Sequence, residues 1–244
     1  MDTKKTHRSL LQLYRYLPDD AAIKTIESSY IRVSHLAHLN DPFELLFGFS
    51  DCPSHLEEAV QNELDKFVAC LSQDMGIICF SAKVNDPILW SHYADKHKGV
   101  AFEVAAEIVS DGNDGINFEV NGSEYKKLHK VEYDKGRTTF PFQEFFKLSK
   151  TQLHDQMKSF YKQKSGSWKY EREYRWVVDL EMCKPSGGRF LWPIPHDFIT
   201  RVIIGVRSSL SEKYVRLALK ANGFLNTQVV KARLSQATYD VKLP

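Results

Sequence analysis

The run Ser167-Trp168-Lys169-Tyr170-Glu171-Arg172-Glu173-Tyr174-Arg175-Trp176-Val177-Val178 sets two carboxylates and two guanidinium groups among four aromatic rings. Such carboxylates can stabilise a developing positive charge or hold a hydroxyl, or they can simply pair with the arginines in solvent. The segment Trp176-Val177-Val178-Asp179-Leu180 is β-branched and aromatic, which predicts a strand with the charged residues at its start. Period-two alternation puts Glu171, Glu173 and Arg175 on one face and Arg172, Tyr174 and Trp176 on the other. Two readings stay open on this stretch alone: a site built at a strand end, and an exposed ladder of ion pairs on an edge strand.

The rest of the chain supplies elements that could hold such a site. Leu10 to Leu17 alternates into a strand, with Tyr14 and Tyr16 on one face and Leu13, Arg15 and Leu17 on the other, and Pro18 ends it. Asp19 or Asp20 is placed to cap a helix to about Ser29, and Tyr30 to Ser34 is a second strand. Asn40-Asp41-Pro42-Phe43-Glu44 reads as a rigid turn in which Asn40 or Asp41 bonds backbone amides and Phe43 is buried, a mainly structural role. Leu56, Val60, Leu64 and Phe67 give helical spacing over Pro53 to Leu71, and Gly76 to Ser81 is a buried strand. Asp86 and Pro87 open a short aromatic helix holding Trp90, His92 and Tyr93, and Gly99 precedes the strand Val100 to Val104.

Ser110 to Ser123 is rich in Gly, Asn, Asp and Ser and predicts a hairpin or mobile loop. Lys130 to Tyr133 reads as a strand, and Phe142 to Lys164 as a helix with Phe145, Phe146, Leu148, Leu153, Met157 and Phe160 on its apolar side. Lys184 to Gly188 is a turn, Arg189 to Ile194 and Arg201 to Val206 are strands, Ser211 to Asn222 is a capped helix ending at Gly223, and Thr227 to Leu234 closes the sheet. Strands outnumber helices and follow one another in hairpin order. The expected fold is therefore α+β, one domain over residues 1–244 with a mixed, mostly antiparallel, split sheet flanked by helices and a flexible N-terminus over 1–9.

Of the 244 residues, 43% are apolar and 12% aromatic, enough for a core, and the formal net charge is +2, so no global field recruits nucleic acid or membrane. Cys52, Cys70, Cys79 and Cys183 have no CxxC spacing, which fits reduced thiols. No apolar run approaches a signal core or the ~20 residues of a membrane span, so the expected location is cytoplasmic. Two smaller constellations carry less. His92 and His97, with Asp86 or Asp95, are five apart, off the spacing that would put two metal ligands on one helical face. Lys126, Lys127, Lys130, Lys135 and Arg137, with Tyr125 and Tyr133 between them, fit either a solvated face or a nucleic-acid surface.

Tyr14-Arg15-Tyr16, Asn40-Asp41-Pro42-Phe43-Glu44, Cys79-Phe80-Ser81, Trp90-Ser91-His92-Tyr93-Ala94, Lys98-Gly99-Val100 and Trp168 to Arg175 together resemble the bacterial family known as domain of unknown function 2971, over about Tyr14 to Leu243. That name states no activity. The order of motifs also resembles ADP-ribosyltransferases of the diphtheria-toxin and poly-ADP-ribosyl type, which place a basic residue on the first strand, a tyrosine on the helix after a strand–Ser turn and a glutamate at a later strand. The resemblance implies an ADP-ribosyltransferase-like fold with NAD as substrate and no metal, and a toxin or anti-phage effector acting on a protein or nucleic-acid acceptor. It implies Glu173, Glu171 and Tyr93 as catalytic residues and Arg15, Tyr14, Trp90, Ser81 and His92 as NAD contacts. No Gly-Ser or Ser-Thr pair follows Arg15, and a Ser-Thr-Ser strand is missing, so the usual bonds to the nicotinamide amide have no counterpart.

The chemistry fits these residue types. Breaking the nicotinamide–ribose bond passes through an oxocarbenium-like state that a carboxylate stabilises, with Glu173 in that part and Glu171 positioning the acceptor, or the reverse. An arginine fork suits a pyrophosphate and an aromatic face a flat ring. The alternatives are a non-enzymatic nucleotide- or peptide-binding module with an aromatic groove formed by Tyr14, Trp90 and Trp168, and a nuclease-like site of Glu171, Glu173 and Asp41 around a divalent ion. Arg15, Trp90, Tyr93 and Glu173 are expected to line a single cleft between two halves of the sheet.

Overall fold

The computed structural model describes residues 9–36, 39–45, 48–112, 115–145, 147–149, 152, 160 and 162–244, without the side chains of Phe67 and Leu71. Of the expected flexible N-terminus, residues 1–8 lie outside the described residues, and Ser9 already begins the first strand, Ser9–Leu17. The chain folds as an α+β structure around a mostly antiparallel sheet of eleven strands. Ten run side by side in the order Lys184–Ser186, Arg189–Pro193, Tyr30–His35, Met75–Ser81, Glu173–Asp179, Ser123–Lys130, Gly115–Val120, Val100–Gly112, Arg201–Ile204 and Gln228–Lys231. Only the last two of these are parallel neighbours.

The remaining strand, Ser9–Leu17, pairs with Val100–Gly112 along its whole length and meets Met75–Ser81 at one pair, Tyr14 opposite Ser81. The path thereby returns on itself, and six strands form a ring. Where a sheet split into halves was expected, the split is local: Ser9–Leu17 and Met75–Ser81 touch once and diverge. Inside the ring Leu13, Ile78, Phe80, Phe102, Val104, Phe118, Leu128 and Trp176 are buried together, as alternation along each strand requires. Helices Asp19–Ser28 and Glu212–Ala221 contribute Ala22, Ile26, Val215 and Leu219 to the same core.

Local departures from expectation have local causes. Asp19 and Asp20 lie in the first turn of their helix, and the residue at its cap is Pro18, which has no side-chain acceptor to offer. The Gly- and Asn-rich stretch forms a β-hairpin between Val100–Gly112 and Gly115–Val120, with Asn113 and Asp114 outside the described residues. The expected strand 130–133 is divided, since Ser123–Lys130 ends before Val131 and Glu132–Asp134 pairs elsewhere, with Gln163–Ser165. The helix expected over Phe142 to Lys164 is helical at Phe142–Phe145 and at the described positions Gln152 and Phe160, but Leu148 and Ser149 interrupt it and Gln163–Ser165 is a strand. Pairing with Glu132–Asp134 outweighs helical spacing there. Phe146, Leu153 and Met157 lie outside the described residues.

Asp86 accepts a hydrogen bond from the Ile88 amide (3.0 Å) and caps the helix Pro87–Tyr93, whose Pro87 needs no donor. The helix ends in three successive left-handed residues, Asp95, Lys96 and His97 (φ 42°, 55° and 70°). Their backbone is tied down on both sides: the His97 amide donates to the Trp90 carbonyl (3.0 Å), and its carbonyl accepts from the Arg207 amide (3.0 Å). Gly99 follows because a Cβ there would lie 2.1 Å from the Leu17 carbonyl oxygen.

Candidate functional site

Strand Glu173–Asp179 is interior to the sheet, with Met75–Ser81 on one side and Ser123–Lys130 on the other, so the reading as an exposed ladder on an edge strand fails. Its alternation begins at Glu173. Gly166–Glu171 is a 3₁₀ turn and Arg172 is left-handed (φ 45°), so Glu171 reaches the face of Glu173 and Arg175 from a turn. The Ser81 hydroxyl donates to the Glu171 carbonyl, and the Ala82 amide donates to the Arg172 carbonyl (3.0 Å). These bonds fix the turn against the strand end.

The result is a buried charge cluster. Arg175, 0% exposed, donates from Nε to Glu173 Oε1 (3.0 Å) and from Nη2 to Glu173 Oε2 (2.9 Å) and to Glu44 Oε2. Lys164 Nζ lies 2.7 Å from Glu171 Oε2, 3.1 Å from Glu44 Oε1 and 3.3 Å from Glu173 Oε2, and it sits over the Trp168 ring. Burial opposes ionisation of Glu173, but Arg175 and Lys164 together outweigh it and hold its carboxyl below the usual range. For Glu44 burial outweighs the same two cations and raises the pKa. Three carboxyl groups thus face two cations, and Glu44 takes a proton before Glu173 as pH falls.

Beside this cluster, where Ser9–Leu17 and Met75–Ser81 diverge, lies a cavity of about 270 Å³. Of the residues selected from sequence, Tyr14, Arg15, Ser81, Tyr93, Glu171 and Glu173 line it. The Tyr93 hydroxyl donates to Glu171 Oε1 and accepts from Asn40 Nδ2 (2.9 Å). Burial, then the bond to Glu171, raises the Tyr93 pKa. Arg15, 8% exposed, donates from Nη2 to the Arg32 carbonyl (2.6 Å), while its Nε is buried with no partner among the described residues. Burial pushes its pKa down to about 10, so it keeps its charge at neutral pH. Cys79, on the same wall, hydrogen-bonds Glu173, and burial raises its thiol pKa.

Two selected residues stand elsewhere. Trp90 is fully buried in the core, donating from its indole N–H to the Val84 carbonyl (2.7 Å) and packing edge-on against Tyr16, so it presents no face to the cavity. His92 is exposed and pairs with the Tyr170 hydroxyl (3.2 Å), outside the cavity wall. The aromatic groove of Tyr14, Trp90 and Trp168 therefore does not form. Asn40-Asp41-Pro42-Phe43-Glu44 is a turn in which Asp41 Oδ1 accepts from the Phe43 amide (2.9 Å), but Phe43, expected to be buried, is 59% exposed, and Glu44 is buried instead. Glu44 goes inside because Arg175 and Lys164 wait there.

His92 and His97 take different neighbours, and among the described residues no group of three or more His, Cys, Asp and Glu is arranged to hold a metal ion. No helix among them is long and apolar enough to cross a membrane.

Sequence reasoning missed Glu44 and Lys164. The available signal was charge balance, since Glu171 and Glu173 in one pocket need cations beyond Arg175 and the nearest upstream lysine that is not beside them is Lys164. Residues 89–176 match the family described as Protein of unknown function (DUF2971). The match includes Tyr93, Lys164, Glu171, Glu173 and Arg175 and is narrower than the Tyr14 to Leu243 span expected from the motifs, leaving Arg15, Glu44 and Ser81 outside. No curated protein and no solved structure matches the chain.

Proposed function

We propose that the cavity binds NAD and cleaves its nicotinamide–ribose bond, as an ADP-ribosyltransferase or an NAD glycohydrolase of ADP-ribosyltransferase-like fold. The observation that carries this reading is the convergence on one cavity of an unpartnered arginine Nε and a carboxylate, Arg15 and Glu171. Arg15 is the cation for the diphosphate, and the carboxyl groups of Glu171 and Glu173 on the lining suit the positively charged nicotinamide ring. At about 270 Å³ the cavity is at the small end for a ligand pocket, so it takes the nicotinamide and its ribose while the adenosine end lies outside. The C1′–N bond breaks with its electron pair leaving on neutral nicotinamide. Glu171 stabilises the oxocarbenium-like carbon, and a water or acceptor hydroxyl adds to it and gives up a proton.

Glu171 suits this part better than Glu173. Both oxygens of Glu173 are taken up by Arg175, with Lys164 and Cys79 beside them, whereas among the described residues Glu171 Oε1 accepts only from Tyr93, itself on the cavity wall. Glu171→Gln is expected to lower nicotinamide release by ~100-fold or more while NAD binding and thermal stability change little. A wild-type protein that binds NAD and releases no nicotinamide, with water or with protein or nucleic-acid acceptors, overturns the catalytic part. What favours that second reading, a nucleotide-binding module, is the engagement of both Glu171 oxygens by Tyr93 and Lys164.

A further inference from the structure

The basic stretch 125–137 is resolved by the fold into parts with different fates. Tyr125 packs against Phe118, Trp176 and Phe198, Lys127 pairs with Asp179 (3.0 Å), and the Tyr133 hydroxyl accepts from the Glu173 amide (2.7 Å). None of the three offers a free stacking or charged surface. Lys135 and Arg137 instead line a second cavity, of about 190 Å³, on the far side of the charge cluster. Its floor is the buried pair Leu45 and Phe160, its rim includes exposed Phe43, and Lys164 is on its wall as well as on the wall of the first cavity. The Arg137 guanidinium lies over the Phe43 ring, 4.8 Å from its centroid. One acid, Asp134, whose Oδ1 accepts from the Lys135 amide (2.6 Å), stands against Lys135 and Arg137, so by number the cations are in excess at the rim.

We propose that this groove holds one unstacked nucleotide of a single nucleic-acid strand. The base packs on Phe43 and Arg137 over the apolar floor, and the flanking phosphates meet Lys135 and Arg137. An aromatic face beside an arginine receives any base by stacking, and two rim cations track a backbone without reading sequence. A duplex keeps its bases stacked and out of reach of so small a recess. A free mononucleotide lacks the neighbouring phosphates that an open, two-cation rim would engage. The inference concerns binding and stands apart from NAD cleavage.

The test is fluorescence anisotropy of the full chain with a labelled single strand of about 12 nucleotides, DNA and RNA in turn, without NAD and between about 50 and 200 mM salt. Affinity should fall with salt with a log–log slope near −0.7 per phosphate engaged. Lys135→Glu with Arg137→Glu should weaken binding at least 10-fold and flatten that slope, with the melting temperature unchanged because both side chains are at the surface. Phe43→Ala should weaken binding by about 10-fold, the scale of one stacked base, and leave the slope as it was. Absence of binding at the lowest salt, equal binding of duplex or of AMP, or affinity indifferent to all three substitutions overturns the proposal. Nicotinamide release, measured separately, has no bearing on these outcomes.

Discussion

The two faces of strand Glu173–Asp179 solve opposite problems with neighbouring residues. Trp176 turns into the ring and meets Phe118, Tyr125 and Trp192 at centroid distances of 5.6, 5.0 and 5.2 Å, a packing that needs nothing but shape. Arg175, one residue away, turns to the other face and is equally buried, but among carboxylates. Apolar burial is favourable in itself, at roughly 25 cal/mol per Å². Charge burial costs several kcal/mol per ion before any pairing returns it, and well-packed apolar replacements often do as well or better. The comparison teaches that the first face is what stability requires of this strand, whereas the second is kept against its cost, which points to function at the cavity it borders.

The largest expected effect is on folding and separates the faces most sharply. Trp176→Ala should cost about 3–5 kcal/mol in urea unfolding. Arg175→Met alone should cost about as much, because it strands Glu44 and Glu173. Combining Arg175→Met with Glu44→Leu and Glu173→Leu should recover most of that loss while abolishing the NAD binding proposed for the cavity. If the triple variant is no more stable than Arg175→Met, the charged face is as structural as the aromatic one and the comparison breaks.

A smaller effect sharpens the charged face internally, through pH. The folded state holds the Glu173 pKa below its unfolded value, near 4.5, so the native protein binds fewer protons there, and this stability is present above about pH 4.5 and lost as pH falls through the folded value. Glu44 has the opposite sign: its raised pKa makes stability decline as pH rises from about 4.5 toward the folded value. One proton corresponds to a slope of up to about 1.4 kcal/mol per pH unit. Urea unfolding between about pH 3 and 7 should show Glu173→Gln flattening the acid limb and Glu44→Gln flattening the limb above it. If both variants flatten the same limb, the two acids share one proton and act as a pair.

The smallest effect lies at the edge of the site. Asp86→Ala removes the cap from the helix that carries Tyr93 and the partner of Lys83 (3.0 Å), and it should cost about 1 kcal/mol. A loss above about 3 kcal/mol would mean that this short helix is held by its cap rather than by Leu89 and Trp90 beneath it.

Much of this arrangement was legible in the sequence, and the rest failed for physical reasons. The strands containing Arg15 and Arg175 alternate, the one containing Ser81 is a continuous apolar run, and Pro18, Asp86-Pro87 and Gly223 mark boundaries by local chemistry. Trp90 was misplaced because an aromatic on a short helix looks the same whether it faces a ligand or a core. Glu44 was hidden because Asn-Asp-Pro satisfies a turn by itself, and nothing local tells that the next acid finds Arg175, 131 positions on. Lys164 was hidden by a helical spacing of phenylalanines that pairing with Glu132–Asp134 overrides. Long-range charge pairing leaves no periodicity to read.

The ring closure at Ser9–Leu17 has a consequence for how the protein is made. Strand Ser9–Leu17 finds its partner in residues 100–108, and the cavity wall gains Glu171 and Glu173 more than 150 positions after it. Contacts so far apart in sequence give a high contact order and slow folding, with loop closure preceding any gain from pairing. No short fragment contains Arg15, Ser81, Tyr93 and Glu171 together. A chain that stops short of residue 173 therefore has exposed strand edges but no assembled cavity, and whatever chemistry the cavity performs needs the segment through Glu173 in place.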